Sequence, residues 1–432
     1  MRPSVKTQKT ILVVGTTPDY IEWIRRVAPG RALFLTDPQL RRLAKEPGPG
    51  PEEEILCDLV DYPQAVSCLA EHLERWGTEL GGIACFDCES MDLAAELAAR
   101  YGLRYPSSEA VGLCRDKYLS KVKWRERGLH CPRAERVHSP DEAARFLAEL
   151  GAPAVLKPLT GSGSEHVWLC RSAEECRTHY RSIAAALESG RSNRLFRSPS
   201  PAAPAGPLVL AEEFIDGQEY SCDFIVDGSR IEPIRLTEKI RSRNRPFGTI
   251  HGYLLRHDLP PGIESGGFRE TLRECASSLG VERAICMLDF MVREGEMVLL
   301  EMAPRPGGDC LPPLLRRARG LDILKLSLDF AGQGEIVPAD PFDSDFSGYM
   351  GIRIIARQGG TLAAIDTDGL QADPRVLEIG LSKKPGHRIT LPPEDYDSWI
   401  LGHIVARVDP GGDPAESLVE LDGKICIRMD GH

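Results

Sequence analysis

Two apolar runs, each interrupted by one acid, limit what this chain can fold into. The first, Ile285 to Val292, carries Asp289 in its middle, and the second, Met297 to Leu300, runs directly into Glu301. Between them lie Arg293 to Glu296, a short polar stretch containing Gly295, so the two runs read as an antiparallel hairpin. A carboxylate at the end of such a strand faces a cleft in preference to the core, and pairing the strands sets both acids side by side. Like charges at that separation repel unless a cation lies between them. Hard oxygen donors suit Mg²⁺, which keeps waters and also takes phosphate oxygens. Arg305 follows, held between Pro304 and Pro306 and ahead of Gly307, Gly308 and Asp309. An always-charged planar fork beside a metal site is a clamp for a phosphorylated or carboxylate substrate. Taken alone, the same residues also describe a surface hairpin with an incidental acid pair.

A chain of 432 residues is too long for one core; domains of about 100–200 residues imply roughly two to four of them. With 42% hydrophobic and 27% charged residues the composition is that of a globular protein. No apolar run approaches the ~18–20 residues that cross a bilayer, and Met1 to Thr10 lack a signal-peptide core. The expectation is a cytoplasmic protein without a membrane partner. Thirteen scattered cysteines, an odd number, point to reduced thiols. Cys85 and Cys88 have CxxC spacing but no second pair or histidine cluster, which argues against zinc. A net charge of −11 disfavours nucleic acid as the bulk partner, so local basic clusters such as 237–245 are either solvated loops or sites for an anionic substrate.

Strands at 10–15, 31–37 and 82–86 alternate with helices at 18–27, 63–77 and 90–101, the pattern of a parallel sheet. Its first turn, Gly15 to Asp19, is not the glycine fingerprint of a dinucleotide site. After a boundary near Tyr105 come a helix from Asp116 to Gly128 and a capping box, Ser139 to Glu142, that starts another. Strand 154–157 delivers Lys157 to a glycine-rich loop, Pro158 to Ser164, whose backbone N–H groups can approach phosphate; the same residues also describe an ordinary hairpin loop with a solvated lysine. Residues 188–207, rich in Pro, Ser, Gly and Ala, read as a mobile loop. Two strands are expected about Asp216-Gly217, helices over 267–279 and 311–332, and a β-rich tail over 341–432.

These pieces, in this order, resemble the ATP-grasp carboxylate-amine ligases, and within them most nearly the bacilysin-type L-amino-acid ligases. The resemblance implies an α/β ATP-grasp fold. Residues 1–105 would be an N-terminal Rossmann-like (pre-ATP-grasp) domain, 106–340 the ATP-grasp domain with a lid over about 120–211, and 341–432 a small β-rich C-terminal subdomain. It further implies ATP and Mg²⁺, or Mn²⁺ in its place. Lys117, Lys157 and the loop Gly161, Ser162 and Gly163 would hold phosphates. Glu212, with the backbone of Glu213 and Ile215, would hold adenine, and Glu219 the ribose. Asp289 and Glu301 would be metal ligands, Arg305 would steady an acyl phosphate, and His251 would be a substrate-side histidine. The implied reaction joins a small-molecule carboxylate to an amine, releasing ADP and phosphate, in a protein that a homodimer would suit. The chain departs from the family's common Glu-x-Asn-x-Arg at Ala303, where a metal-ligating Asn would stand. Two other readings stay open: a carboxylase-like enzyme that activates bicarbonate, and an ATP-binding module without ligase chemistry.

Overall fold

The computed structural model describes residues 9–430 apart from 45, 191–193, 197–206, 243–244, 335, 337, 339, 343–347 and 410. Most of the 188–207 segment thus lies outside the described residues. The chain opens as the alternation requires. Strands Thr10–Val14, Ala32–Thr36, Glu54–Leu56 and Leu80–Cys85 form a parallel sheet in which Thr10–Val14 lies between Ala32–Thr36 and Leu80–Cys85. Ile11 to Val14 are all buried, as in a sheet covered on both faces. This unit docks on the later helix Ile323–Ala331: the Trp23 indole N–H, for instance, donates to Asp322 at 2.9 Å.

The centre of the molecule is an eight-stranded antiparallel sheet. From one edge it runs Glu296–Ala303, Arg283–Arg293, Gln218–Asp227, Arg230–Arg241, Ile250–Arg256, Tyr349–Ile355, Ile400–Arg407 and Val376–Leu381. Its last three strands come from the tail, so the described residues beyond 348 extend the main sheet and add to it a three-stranded ribbon and two helices. A second, four-stranded sheet, ordered Ala134–Val137, Val209–Glu213, Ala154–Pro158, Trp168–Cys170, is backed by helices Pro140–Leu150 and Ala173–Ser189. The two strands expected about Asp216-Gly217 both form, but they do not pair. Val209–Glu213 belongs to the small sheet and Gln218–Asp227 to the large one, so residues 214–217 carry the chain across from one to the other.

Local chemistry explains the element ends. Ser139 caps Pro140–Leu150 by accepting the Glu142 N–H, yet the Glu142 carboxylate reaches the His138 N–H (2.8 Å) and not that of Ser139. The reciprocal box forms at Ser172 and Glu175. Glu294 and Gly295 both adopt positive φ, 56° and 80°, the pair of left-handed residues that closes a two-residue hairpin with the native strand twist.

Beneath the loop that follows Glu301 lies an ion pair sealed from water. Arg235 and Asp223, opposite each other on neighbouring strands and both 0% exposed, form a two-pronged contact at 2.8 and 2.9 Å. Arg235 also donates to the Ser221 carbonyl (2.9 Å) and Thr237 hydroxyl (2.7 Å), and Asp223 accepts the Gly307 N–H at 3.0 Å. Gly307 must be glycine, because a Cβ there would lie 2.4 Å from Arg235 Nη2. Asp223→Ala leaves the guanidinium buried and unpaired, and is expected to cost about 3–5 kcal/mol, read as a lower urea midpoint. An unchanged midpoint would show the pair to be dispensable.

Candidate active site

The two sheets face each other across a cleft of about 900 Å³, mouth included. On its floor the hairpin does what its pattern requires: Asp289 and Glu301 are direct partners across the strand pair. The register slips just beyond them, Phe290 pairing with Leu299, which makes Leu300 the extra residue of a bulge. The Leu300 carbonyl accepts from Lys121 Nζ at 2.7 Å. Asp289 Oδ2 takes the Lys239 ammonium at 2.6 Å, while its Oδ1 is buried with no hydrogen-bond partner. Glu301 Oε2 lies 3.5 Å from Lys117 Nζ.

The roof comes from the small sheet. Lys157 Nζ donates to Glu212 Oε1, and Lys121 Nζ sits against Glu212 Oε2, each at 2.9 Å. Lys117 Nζ donates to the Gly161 carbonyl at 2.6 Å, tying the helix Lys117–Glu126 to the glycine loop. That loop is turned by left-handed residues: Gly161 (φ 122°), Gly163 (70°), Ser164 (62°) and His166 (54°). The last two bear side chains, and backbone strain of this kind collects at ligand clamps. At the crossing between sheets, Glu213 and Ile215 line the cleft, and the Glu213 N–H is already given to the Arg133 carbonyl at 2.8 Å. Glu219 also lines it, holding Lys239 at 2.9 Å and Arg241 at 2.9 and 3.1 Å.

Electrostatics follow from burying this many charges together. Burial alone would raise the Glu301 carboxyl, but Lys117, Lys157, Lys239 and Lys121 pull it down to about 2. Burial likewise opposes ionisation of Glu212, and Lys121 and Lys157 overcome it. Asp289 goes the other way: burial raises it, and against the help of Lys239 stand the neighbouring charges of Glu301 and Glu219. A buried carboxylate held above its usual range, with one oxygen unpartnered beside a second acid, fits a hard divalent cation. Among the described residues no group of three His, Cys, Asp or Glu side chains is placed to hold a metal. A cation between these two acids would therefore complete its shell from phosphate oxygens and water.

The structure thus brings together Lys117, Lys157, Gly161, Ser162, Glu212, Glu213, Ile215, Glu219, Asp289 and Glu301 around one cleft, with Gly163 in the loop above it. Two residues expected there lie elsewhere. Arg305 turns toward the N-terminal unit, where its Nε and Nη2 donate to the Cys88 thiol sulfur at 3.1 and 3.0 Å. It lines a separate crevice with Cys85 and Tyr105. His251 packs beside Asp422 at 3.5 Å and does not line the cleft; the strand register shifts opposite it, between Ile240 and Arg241. Conversely, sequence reasoning missed three cations. Lys121 stands four residues after Lys117, on the same helix face. Lys239 and Arg241 stand two apart on strand Arg230–Arg241, on the same sheet face. Only the unresolved choice between solvated loop and anion site for 237–245 pointed their way.

A pH scan probes the lysine cluster. Glu301, depressed to about 2 by its cations, contributes stability that is full above its ordinary value of 4.5 and lost as the pH falls through the folded value. Glu301→Gln should therefore flatten the fall in melting temperature between pH 5 and 2 relative to the parent. Identical pH profiles for the two would remove Glu301 from the cluster.

The ATP-grasp domain family matches residues 114–309, which hold all the cleft residues named above. The uncharacterized protein y4rH of Sinorhizobium fredii is 25% identical over 443 residues, covering 99% of this chain and 85% of that protein. A D-alanine–D-alanine ligase of Cupriavidus necator is 28% identical over 238 residues; the match spans 52% of this chain and 66% of that enzyme. The crystal structure of an L-amino acid ligase from Bacillus licheniformis superposes with a TM-score of 0.74 at 17% identity, covering 98% of this chain and all of that one. At that identity the likeness is one of fold, and it includes the parallel N-terminal sheet and the antiparallel sheets that follow. The chain has the ATP-grasp fold, and residues 114–309 match the ATP-grasp domain family.

Proposed function

We propose that this protein is an ATP-dependent ligase that joins a small-molecule carboxylate, such as that of an amino acid, to an amine through an acyl phosphate, releasing ADP and phosphate. The observation that carries the reading is the pairing of Asp289 with Glu301 on the floor of a cleft ringed by Lys117, Lys157 and Lys239. Phosphoryl transfer asks for positioning and charge neutralisation more than for covalent help, and this ring provides both. The names of the similar ligases support amide-bond formation as the outcome.

ATP, when bound, would supply the phosphoryl group, and Asp289 and Glu301 would hold a Mg²⁺ that offsets its charge. The chain's own residues do the rest. Lys157, fixed by Glu212, and Lys117, fixed by the Gly161 carbonyl, meet phosphate oxygens from the roof. Val155, Phe214, Ile215 and Met291 give an apolar slot beside the crossing segment, suited to a planar base. The glycine loop over the phosphates limits water access, which an acyl phosphate needs in order to survive until the amine arrives. The Arg305 guanidinium rests on Cys88, outside the cleft, but it stands only four residues beyond Glu301 in the chain, and on that placement and the resemblance we assign it the acyl phosphate.

The test is hydroxamate formation from a panel of carboxylic and amino acids with ATP, Mg²⁺ and hydroxylamine. Acid-dependent ADP release with hydroxamate is expected; bicarbonate-dependent ADP release without it would move the assignment to a carboxylase. Arg305→Lys keeps the charge but loses the planar fork. It should lower turnover by about 10²–10³-fold with ATP affinity, measured by calorimetry, within a few-fold of the parent. A variant that fails only because it no longer binds ATP would return Arg305 to a structural role.

A further inference from the structure

We infer that this chain binds a single divalent cation with its nucleotide, because the Lys239 ammonium occupies the place of a second one. The inference rests on the ATP site proposed above. Glu301 and Ala303 stand two apart on strand Glu296–Ala303, so both face the same side of the sheet. A methyl group offers no lone pair, and the oxygen that a side chain at 303 could have given a second metal is missing.

The opposite strand closes the other approach. Asp289 has two oxygens, and they differ in state: Oδ2 is held by Lys239 Nζ at 2.6 Å, while Oδ1 is buried and unpartnered. An ammonium that close already takes one of the lone pairs of Oδ2 and crowds the other, and its charge repels a second dication. Nor is Lys239 loosely placed. Its side chain is 8% exposed and its Nζ also donates to Glu219 Oε1 at 2.9 Å. Glu219 is itself gripped by Arg241, so the carboxylate that orients Lys239 cannot turn away to ligate a metal without stranding two cations. One coordinating route is left: Asp289 Oδ1 with Glu301, completed by phosphate oxygens and water. Where a second ion would stand, a fixed ammonium supplies one positive charge from the protein itself, with no dependence on metal concentration.

The experiment counts metal directly and needs no knowledge of the substrates. The full chain is saturated with the non-hydrolysable analogue AMP-PNP, its binding measured by calorimetry, and bound Mn²⁺ is titrated by electron paramagnetic resonance. One Mn²⁺ per bound nucleotide is expected, with the spectrum of an isolated ion. Ala303→Asn restores an oxygen donor on the Glu301 face and should add a second, weaker Mn²⁺ that couples magnetically to the first. Lys239→Met frees Asp289 Oδ2 and should also raise the count. Two coupled Mn²⁺ ions per nucleotide in the parent would overturn the inference while leaving the ATP site standing. Absence of AMP-PNP binding would overturn both. Should Lys239→Met fail to fold, the parent and Ala303→Asn still decide the matter.

Discussion

Two carboxylates cannot face each other across an antiparallel pair inside a protein unless positive charge meets them, and much of this molecule is arranged around that demand. Asp289 and Glu301 are fixed opposite each other by strand register, which no side-chain movement can undo. Around them the fold gathers lysines from the helix Lys117–Glu126, from the small sheet and from the strand Arg230–Arg241. Each of these lysines is buried, and burial of an ammonium is tolerable only beside an acid. Acids and bases therefore hold one another in place around the cleft.

The parts of this arrangement that were legible in sequence are those set by local rules. Apolar runs each broken by one acid marked the hairpin, and the alternation of apolar strands with helices marked the parallel sheet. The order of Lys117, Lys157, the glycine loop, Glu212 and the acid pair carried the fold. What local rules could not show was which strand pairs with which. Nothing in the segment around Asp216-Gly217 says that the chain leaves one sheet for another there, because a turn and a crossing use the same residues. The tail's strands alternate as a small independent domain would, yet they extend the central sheet, a matter of which edge lies open to them. Arg305 illustrates the same limit at one residue: flanking prolines fix its backbone, but Cys88, 217 positions away, decides where its guanidinium rests.

The pair of Asp223 and Arg235 shows a different use of buried charge. It touches neither wall of the cleft, yet through the Gly307 N–H it pins the loop that begins at Pro304 to the middle of the large sheet. The loop carrying Arg305 and Asp309 is thereby tied to the sheet at Gly307. An apolar pair of similar volume could fill the same space but would leave that N–H without an acceptor.

Glu212 sits on the small sheet, yet its two oxygens answer to different parts of the molecule: Lys157 on its own sheet, and Lys121 on a helix that also grips the Leu300 carbonyl of the floor. Roof and floor are thus stitched together through one carboxylate that is 3% exposed. If the small sheet swung outward alone, it would strand an ammonium and a carboxylate in a place water barely reaches. The mechanical consequence is that the helix Lys117–Glu126 travels with whichever side keeps Lys121. A widening of the cleft that keeps this stitch would run along the glycine loop and the crossing segment, with the stitched end as the pivot.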